Sequence, residues 1–296
     1  MNSTTRTCYG IAPFGLLLAA LSSFLTSDEL AKSARNVKQI IAHRGASSER
    51  PECTLAAIRR AIEVGATAVE MDVRTSKDGV LFLLHDTTLE RTTDGKGNAA
   101  AMTIAELKQL DAGSWFDPDY ENERIPTLRE ALTACRRKIA PVLDLKEQGK
   151  AYAKQVAAEV REFGEPGRTI VGVRSVAQAR QIRELLPEAR QLGLIPNPDS
   201  IEPFADAGVE TIRLWPRWLK DQDDLVHRVH KTKSRLHLNG RLGTLEEITP
   251  LLTHGPDSLS SDDPVRLLQT LNDLTGQPAR LCFVIEDADL YSLRFR

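Results

Sequence analysis

AVEMDV (68–73), TSKDG (75–79) and VLFLLH (80–85) follow one another with Arg74 alone between the first two, and their reading decides the fold. Side chains alternate across a strand, so Glu70 and Asp72 share one face of AVEMDV while Val69, Met71 and Val73 share the other. The apolar face is suited to packing under helices, which turns the two carboxylates toward the opposite side. Parallel neighbouring strands need a crossover of about a dozen residues or more, and the turn 75–79 is far too short for one. VLFLLH is therefore expected to fold back antiparallel over the end of the preceding strand.

Outward from this stretch, β-rich runs alternate with helical patterns. The other runs are QIIAH (39–43), PVLDLK (141–146), TIVGVR (169–174), QLGLI (191–195), TIRLW (211–215), RLHLN (235–239) and DSLSS (257–261). Helical periodicity lies between them, as at 54–64, 128–137, 152–163, 175–186, 223–231 and 245–252. With AVEMDV these make eight strands with intervening helices, the pattern of a TIM-type (β/α)8 barrel. The barrel is expected over 38–275, with a turn-rich insertion at 86–126 after the second strand and a tail at 276–296. The insertion should hold one short helix at 103–110 and an acidic loop at 117–124.

Barrel active sites form at the C-terminal ends of the strands. Glu70 and Asp72 are expected there, pointing inward, and the same alternation turns Asp144 and Lys146 of PVLDLK inward beside them. Three buried carboxylates repel one another and gather protons unless something compensates them. One divalent cation, Ca²⁺ or Mg²⁺, would do so, since carboxylate oxygens are hard ligands. The alternative is a salt-bridge network with Arg44, Arg74 and Lys146. His43 and His85 leave strand ends on the same rim, and imidazole is the side chain best suited to proton transfer near neutral pH. The remaining histidines lack such neighbours.

Composition narrows the partners. A net charge of −2 argues against a general nucleic-acid binder, which needs clustered Lys and Arg. The uncharged run IAPFGLLLAALSSFL (11–25) is shorter than the roughly 20 residues of a membrane span and suits the core of a secretory leader within residues 1–30. Export follows as the expectation, with an uncleaved tether as the alternative. Beyond Cys8, the cysteines Cys53, Cys135 and Cys282 have no metal-ligand spacing, and any one pair of them could form a disulfide.

The segment IIAHRGASSERPECTLAAIRRAIEVGATAVEMDVRTSKDGVLFLLHDTTLERTTDGKG resembles the glycerophosphodiester phosphodiesterase family. An HRG loop, a PENT-like turn, an ElDV strand, a TkDG turn and an HD-x-x-x-x-R-T-T segment occur in the family's order. The likeness runs on through TIAELKQLDAGSWF and RIPTLREAL, so it covers residues 39–146. The resemblance implies metal ligation by Glu70 and Asp72, acid–base roles for His43 and His85, and a phosphate contact for Arg44. Glu52 matches the acid of the PENT-like turn, and Lys146 the lysine of the family's E-x-K strand.

Three departures stand out. Asp144 occupies the place of a family Glu, Cys53 that of an Asn, and LHLN (236–239) keeps Asn239 of a WTVN segment without its Trp. In this weaker half, alternation turns Arg174, Arg213, Trp215, His237 and Asn239 inward. Arg213 and Trp215 are expected to line the pocket beyond the scissile phosphate, the competing expectation being that an inward arginine pairs with an acid such as Asp144. The expected partner is a small phosphodiester, hydrolysed to glycerol 3-phosphate and an alcohol. A phospholipase C- or D-like lipid phosphodiesterase and a non-catalytic phosphodiester-binding protein are the rivals. Membrane contact stays open, and the sequence sets no oligomeric state.

Overall fold

The computed structural model describes residues 26–220 and 224–276. The leader run at 11–25, Cys8, Cys282 and nearly all of the tail lie outside the described residues. Nine strands are present there: β1 Gln39–Ala42, β2 Ala68–Thr75, β3 Leu81–Leu83, β4 Ala140–Leu145, β5 Ile170–Val173, β6 Arg190–Gly193, β7 Thr211–Leu214, β8 Arg235–Asn239 and β9 Ser258–Ser261. The helices are α1 Ser27–Asn36, α2 Leu55–Glu63, α3 Ile104–Leu107, α4 Leu128–Cys135, α5 Lys150–Phe163, α6 Val176–Leu185, α7 Ile201–Asp206, α8 Leu225–Lys231, α9 Leu245–Leu252 and α10 Pro264–Thr275.

Eight strands pair in parallel in the order β1-β9-β8-β7-β6-β5-β4-β2, and the β1–β2 pairing closes the ring. The chain is thus a TIM-type (β/α)8 barrel. β3 pairs antiparallel with β2 after a hairpin turn in which Gly79 takes φ +81° and donates its N–H to the Ser76 carbonyl. The fold-back expected of VLFLLH is present.

The alternation in the strands separates two cores. Val69, Met71, Val73, Leu143 and Leu145 belong to the large cluster between barrel and helices. Ala68, Ala140, Val142, Ile170 and Leu192 fill the barrel's interior floor, together with Ile41 and Leu194. Glu70, Asp72 and Asp144 sit one and two inward positions above that floor, and Asp72 is in register with Asp144. The polar mouth therefore rests on an apolar base.

The insertion has a small core of its own, with Phe82, Leu89, Leu107 and Ile125 buried together. The helix expected at 103–110 is shorter: α3 starts from a capping box between Thr103 and Glu106 and ends at Leu107. The acidic loop contains one 3₁₀ turn, Pro118–Tyr120. Helix α1 was not anticipated. It begins at a Thr26–Glu29 capping box and docks under the barrel, where the Ser33 hydroxyl donates to the Leu252 carbonyl at 2.6 Å. Cys53 and Cys135 are buried free thiols, so they form no disulfide with each other.

Candidate active site

The HRG loop is shaped by contact with α2. Gly45 has φ +87°, and a Cβ there would meet Ala57 Cβ at 2.5 Å, so only glycine fits. Arg44 precedes it at φ +57°, and its carbonyl accepts from the N–H of Cys53, itself at φ +57°. Asparagine tolerates that left-handed backbone better than cysteine does, which explains the residue type usual in this turn. Cys53 fills the place with its thiol 3.5 Å from Asp72 Oδ2.

The folded loop aims Arg44 at three acids. Its backbone N–H donates to Glu70 Oε2 at 2.9 Å, its Nη1 donates to Glu52 at 3.1 Å, and its Nε lies 3.6 Å from Asp72 Oδ2. Glu52 also accepts both Nη groups of Arg91, at 2.7 and 2.9 Å. Burial opposes ionisation of Glu52, but Arg91 and Arg44 outweigh it and hold its pKa below the usual range. Glu52 lines the cleft, yet a carboxylate so committed positions arginines and repels a phosphate.

His43 and His85 each have a carboxylate on Nδ1. His43 Nδ1 is 2.6 Å from Asp262 Oδ1, and His85 Nδ1 is 2.7 Å from Asp86 Oδ1. Such a bond fixes the ring and leaves Nε2 for chemistry. Burial pulls the His43 pKa down, but Asp262 and the nearby charge of Glu70 carry it above the ordinary value. For His85, burial dominates over the pull of Asp72 and Asp86 and the pKa falls below the ordinary value. Arg91 ties Asp86 to Glu52, and its hydrogen bond holds Asp86 down to about 2.

Glu70, Asp72 and Asp144 each offer an oxygen within 4.8 Å of the others. Lys146 Nζ bridges Asp72 Oδ1 at 2.7 Å and Asp144 Oδ2 at 2.8 Å. Arg174 grips Asp144 with Nε and Nη2. Of the three acids, Glu70 alone has no lysine or arginine side chain paired to it among the described residues, and burial followed by the charge of Asp72 pushes its pKa up to about 8. A buried carboxylate with no lysine or arginine side chain on it, beside another carboxylate, is the donor set a hard divalent cation takes up, so the residues fit one. The salt-bridge alternative holds for Lys146 and Arg44 but not for Arg74, which donates to the Leu84 and His85 carbonyls. The arginine that joins the acids instead is Arg174.

His43 and His85, with Arg44, Asp72, Asp144 and Lys146, line a cleft of about 770 Å³, which also takes in Arg213, Trp215, Asn239 and Arg241. That volume suits a small organic ligand. Arg213 does not pair with Asp144; its guanidinium lies 4.1 Å from the Trp215 ring centroid. Asn239 Nδ2 donates to Ser260 Oγ at 2.9 Å, and His237 is buried against Ser258 Oγ. Leu242 and Leu245 are exposed beyond β8, a pair of the size ordinary on any surface. Of the expected site residues, Glu70 lines an adjoining recess with His43, Asp144, Arg213 and Asn239, and the others line this opening. The partners that sequence reasoning left without a role are Asp262, Asp86, Arg91 and Arg174. Asp86 and Arg91 stand inside the HD-x-x-x-x-R segment, and Asp262 in the first turn after the last strand, so their positions were visible but not their bonds.

Known proteins resemble this chain in sequence and fold. The model of the glycerophosphoryl diester phosphodiesterase family matches residues 43–265. The chain is 32% identical over 234 residues to the glycerophosphodiester phosphodiesterase of Caldanaerobacter subterraneus subsp. tengcongensis, covering 77% of this chain and 96% of that relative. A crystal structure of glycerophosphodiester phosphodiesterase from Agrobacterium tumefaciens superposes with a TM-score of 0.67 at 28% identity, over 77% of this chain and 97% of that one. An Oleispira antarctica phosphodiesterase in complex with the product sn-glycerol-3-phosphate superposes with a TM-score of 0.71 at 26% identity, over 81% and 99% of the two chains.

Proposed function

This chain belongs to the glycerophosphoryl diester phosphodiesterase family, and on that premise we propose that it hydrolyses glycerophosphodiesters to glycerol 3-phosphate and an alcohol. The observation that carries this reading is the pairing of two carboxylate-oriented histidines with a three-carboxylate cluster, spread over the cleft and the recess that shares His43 and Asp144 with it. Glu70 and Asp72, with Asp144, would hold a divalent cation, which supplies polarisation of the phosphoryl group and acidifies the nucleophile.

The chain's own residues do the rest. Arg44 and Lys146 face the equatorial phosphoryl oxygens and offset the charge that develops there. One histidine accepts the nucleophile's proton at Nε2. The other protonates the alcohol oxygen as its bond to phosphorus breaks. The same pair serves attack by water or by the glycerol's own hydroxyl. Asp262 and Asp86 keep both rings in the reactive tautomer, and the Glu52–Arg91 pair ties the HRG loop to the insertion.

Release of glycerol 3-phosphate from glycerophosphocholine, followed with excess EDTA and after addition of Mg²⁺ or Ca²⁺, tests the proposal. Turnover that stops with EDTA and returns with the ion is expected. No release from any glycerophosphodiester would overturn it.

A further inference from the structure

On the wall across from the acidic strands stands a guanidinium that the reaction above does not use. β7 is separated from β2 by β4, β5 and β6 on one side and by β1, β9 and β8 on the other. Arg213, from β7, therefore reaches the cleft from the side opposite Glu70 and Asp72. Arg44, Lys146 and Arg174 each have a carboxylate within 4 Å. Among the described residues Arg213 has none, and its buried Nε has no hydrogen-bond partner. Burial depresses its pKa to about 10, with Asp144 offsetting part of that and Arg174 adding repulsion. It stays charged at neutral pH. A half-buried cation without a counter-ion is costly unless an anion arrives to pair with it.

The immediate surroundings say what kind of ligand would arrive. Trp215 could have received a quaternary ammonium on its ring face. That ring already carries Arg213 at 4.1 Å and Arg217 at 5.1 Å from its centroid, so a cationic headgroup meets two guanidiniums there. Asn239 Oδ1, also buried without a partner, lines a recess with Arg213, Glu70 and Asp144, where an acceptor takes a hydroxyl of the alcohol and leaves Arg213 as the donor for an anion. The scissile phosphate is provided for on the far side by Arg44 and Lys146.

We propose that Arg213, stacked on Trp215, is the centre of a second anion site, and that the enzyme's substrates are glycerophosphodiesters whose alcohol carries a phosphate or carboxylate of its own. The inference rests on the phosphodiesterase reading above and names the substrate class within it.

Two matched pairs of diesters test it: glycerophosphoinositol 4-phosphate against glycerophosphoinositol, and glycerophosphoglycerate against glycerophosphoglycerol. In at least one pair the anionic member should have the higher kcat/KM, by about ten- to a hundredfold, the usual worth of a hydrogen bond to a charged group. Which pair responds tells phosphate from carboxylate. The preference should shrink as NaCl is raised, a reading on the wild-type protein that needs no variant. Arg213→Met should bring the ratio within the responding pair toward one. Equal rates within both pairs, or preference for the neutral members, overturns the second anion site while leaving the phosphodiesterase reading intact, because the neutral diesters are still cleaved. An equal loss on both members in Arg213→Met also overturns it, by placing Arg213 on the scissile phosphate. Failure to cleave any of the four removes both.

Discussion

Asp262 Oδ1 lies 2.6 Å from His43 Nδ1, although 219 residues separate the two in sequence. The bond exists because β9 runs beside β1 in the closed barrel, with Ser261 in register with Ala42. Asp262→Asn would present an amide to Nδ1 and favour the other tautomer. We expect kcat to fall by about a hundredfold or more, with metal affinity by calorimetry close to wild type. An unchanged kcat would assign Asp262 a structural part only.

Removing either histidine should cost more than removing its orienting acid. His43→Ala and His85→Ala are each expected to lower kcat by about 10²–10⁴-fold. Neither is expected to change ion binding much, since neither is a proposed ligand. A variant that turns over at the wild-type rate would exclude that ring from the chemistry.

The acidic cluster predicts different outcomes for its members. Asp72→Ala should abolish activity, because Asp72 is both a proposed ligand and the anchor of Lys146 at 2.7 Å. Asp144→Glu should retain or raise activity, since a glutamate keeps the Lys146 and Arg174 contacts while reaching further toward Glu70 and Asp72. Calorimetric titration of Mg²⁺ and Ca²⁺ into both variants separates loss of the ion from loss of the fold. Full activity of wild type in excess EDTA would contradict the metal site.

His237 predicts how stability depends on pH. Burial, followed by repulsion from Arg213, holds its pKa down to about 3, against the usual 6.5 of the unfolded chain. The unfolded state therefore binds more protons between these values, and stability falls as pH drops from about 6.5 toward 3. At pH 4.5 the contribution is about 3 kcal/mol. Urea unfolding at pH 7.5 and 4.5 should show a smaller difference for His237→Gln than for wild type; equal differences would mean that other groups carry the acid sensitivity.

Export rests on the run 11–25, and the processed chain is expected to begin between about residues 21 and 35. Thr26 caps α1, and Ser33 is bonded to Leu252, so a cut ahead of Thr26 preserves the docked helix. Intact mass of protein from the native host decides this. A full 32.8 kDa chain would contradict cleavage.

What the sequence determined by itself was whatever depends on neighbours along the chain. A period of two places Glu70, Asp72 and Asp144 inward, and a turn too short for a crossover makes β3 antiparallel. The HRG and HD segments mark the two histidines. What tertiary structure alone decided was which groups meet once the barrel closes. Closure sets Asp262 on His43, Arg91 on Glu52 and Arg174 on Asp144, pairs far apart in sequence with no periodicity linking them. Arg74 shares the parity of Asp72, yet β2 runs past the barrel rim into its pairing with β3, where the nearest acceptors are carbonyls. Arg213 illustrates both levels. Alternation turned it inward, but only the packed mouth shows that its neighbour is the Trp215 ring and not an acid, because charge compensation is a property of three-dimensional surroundings.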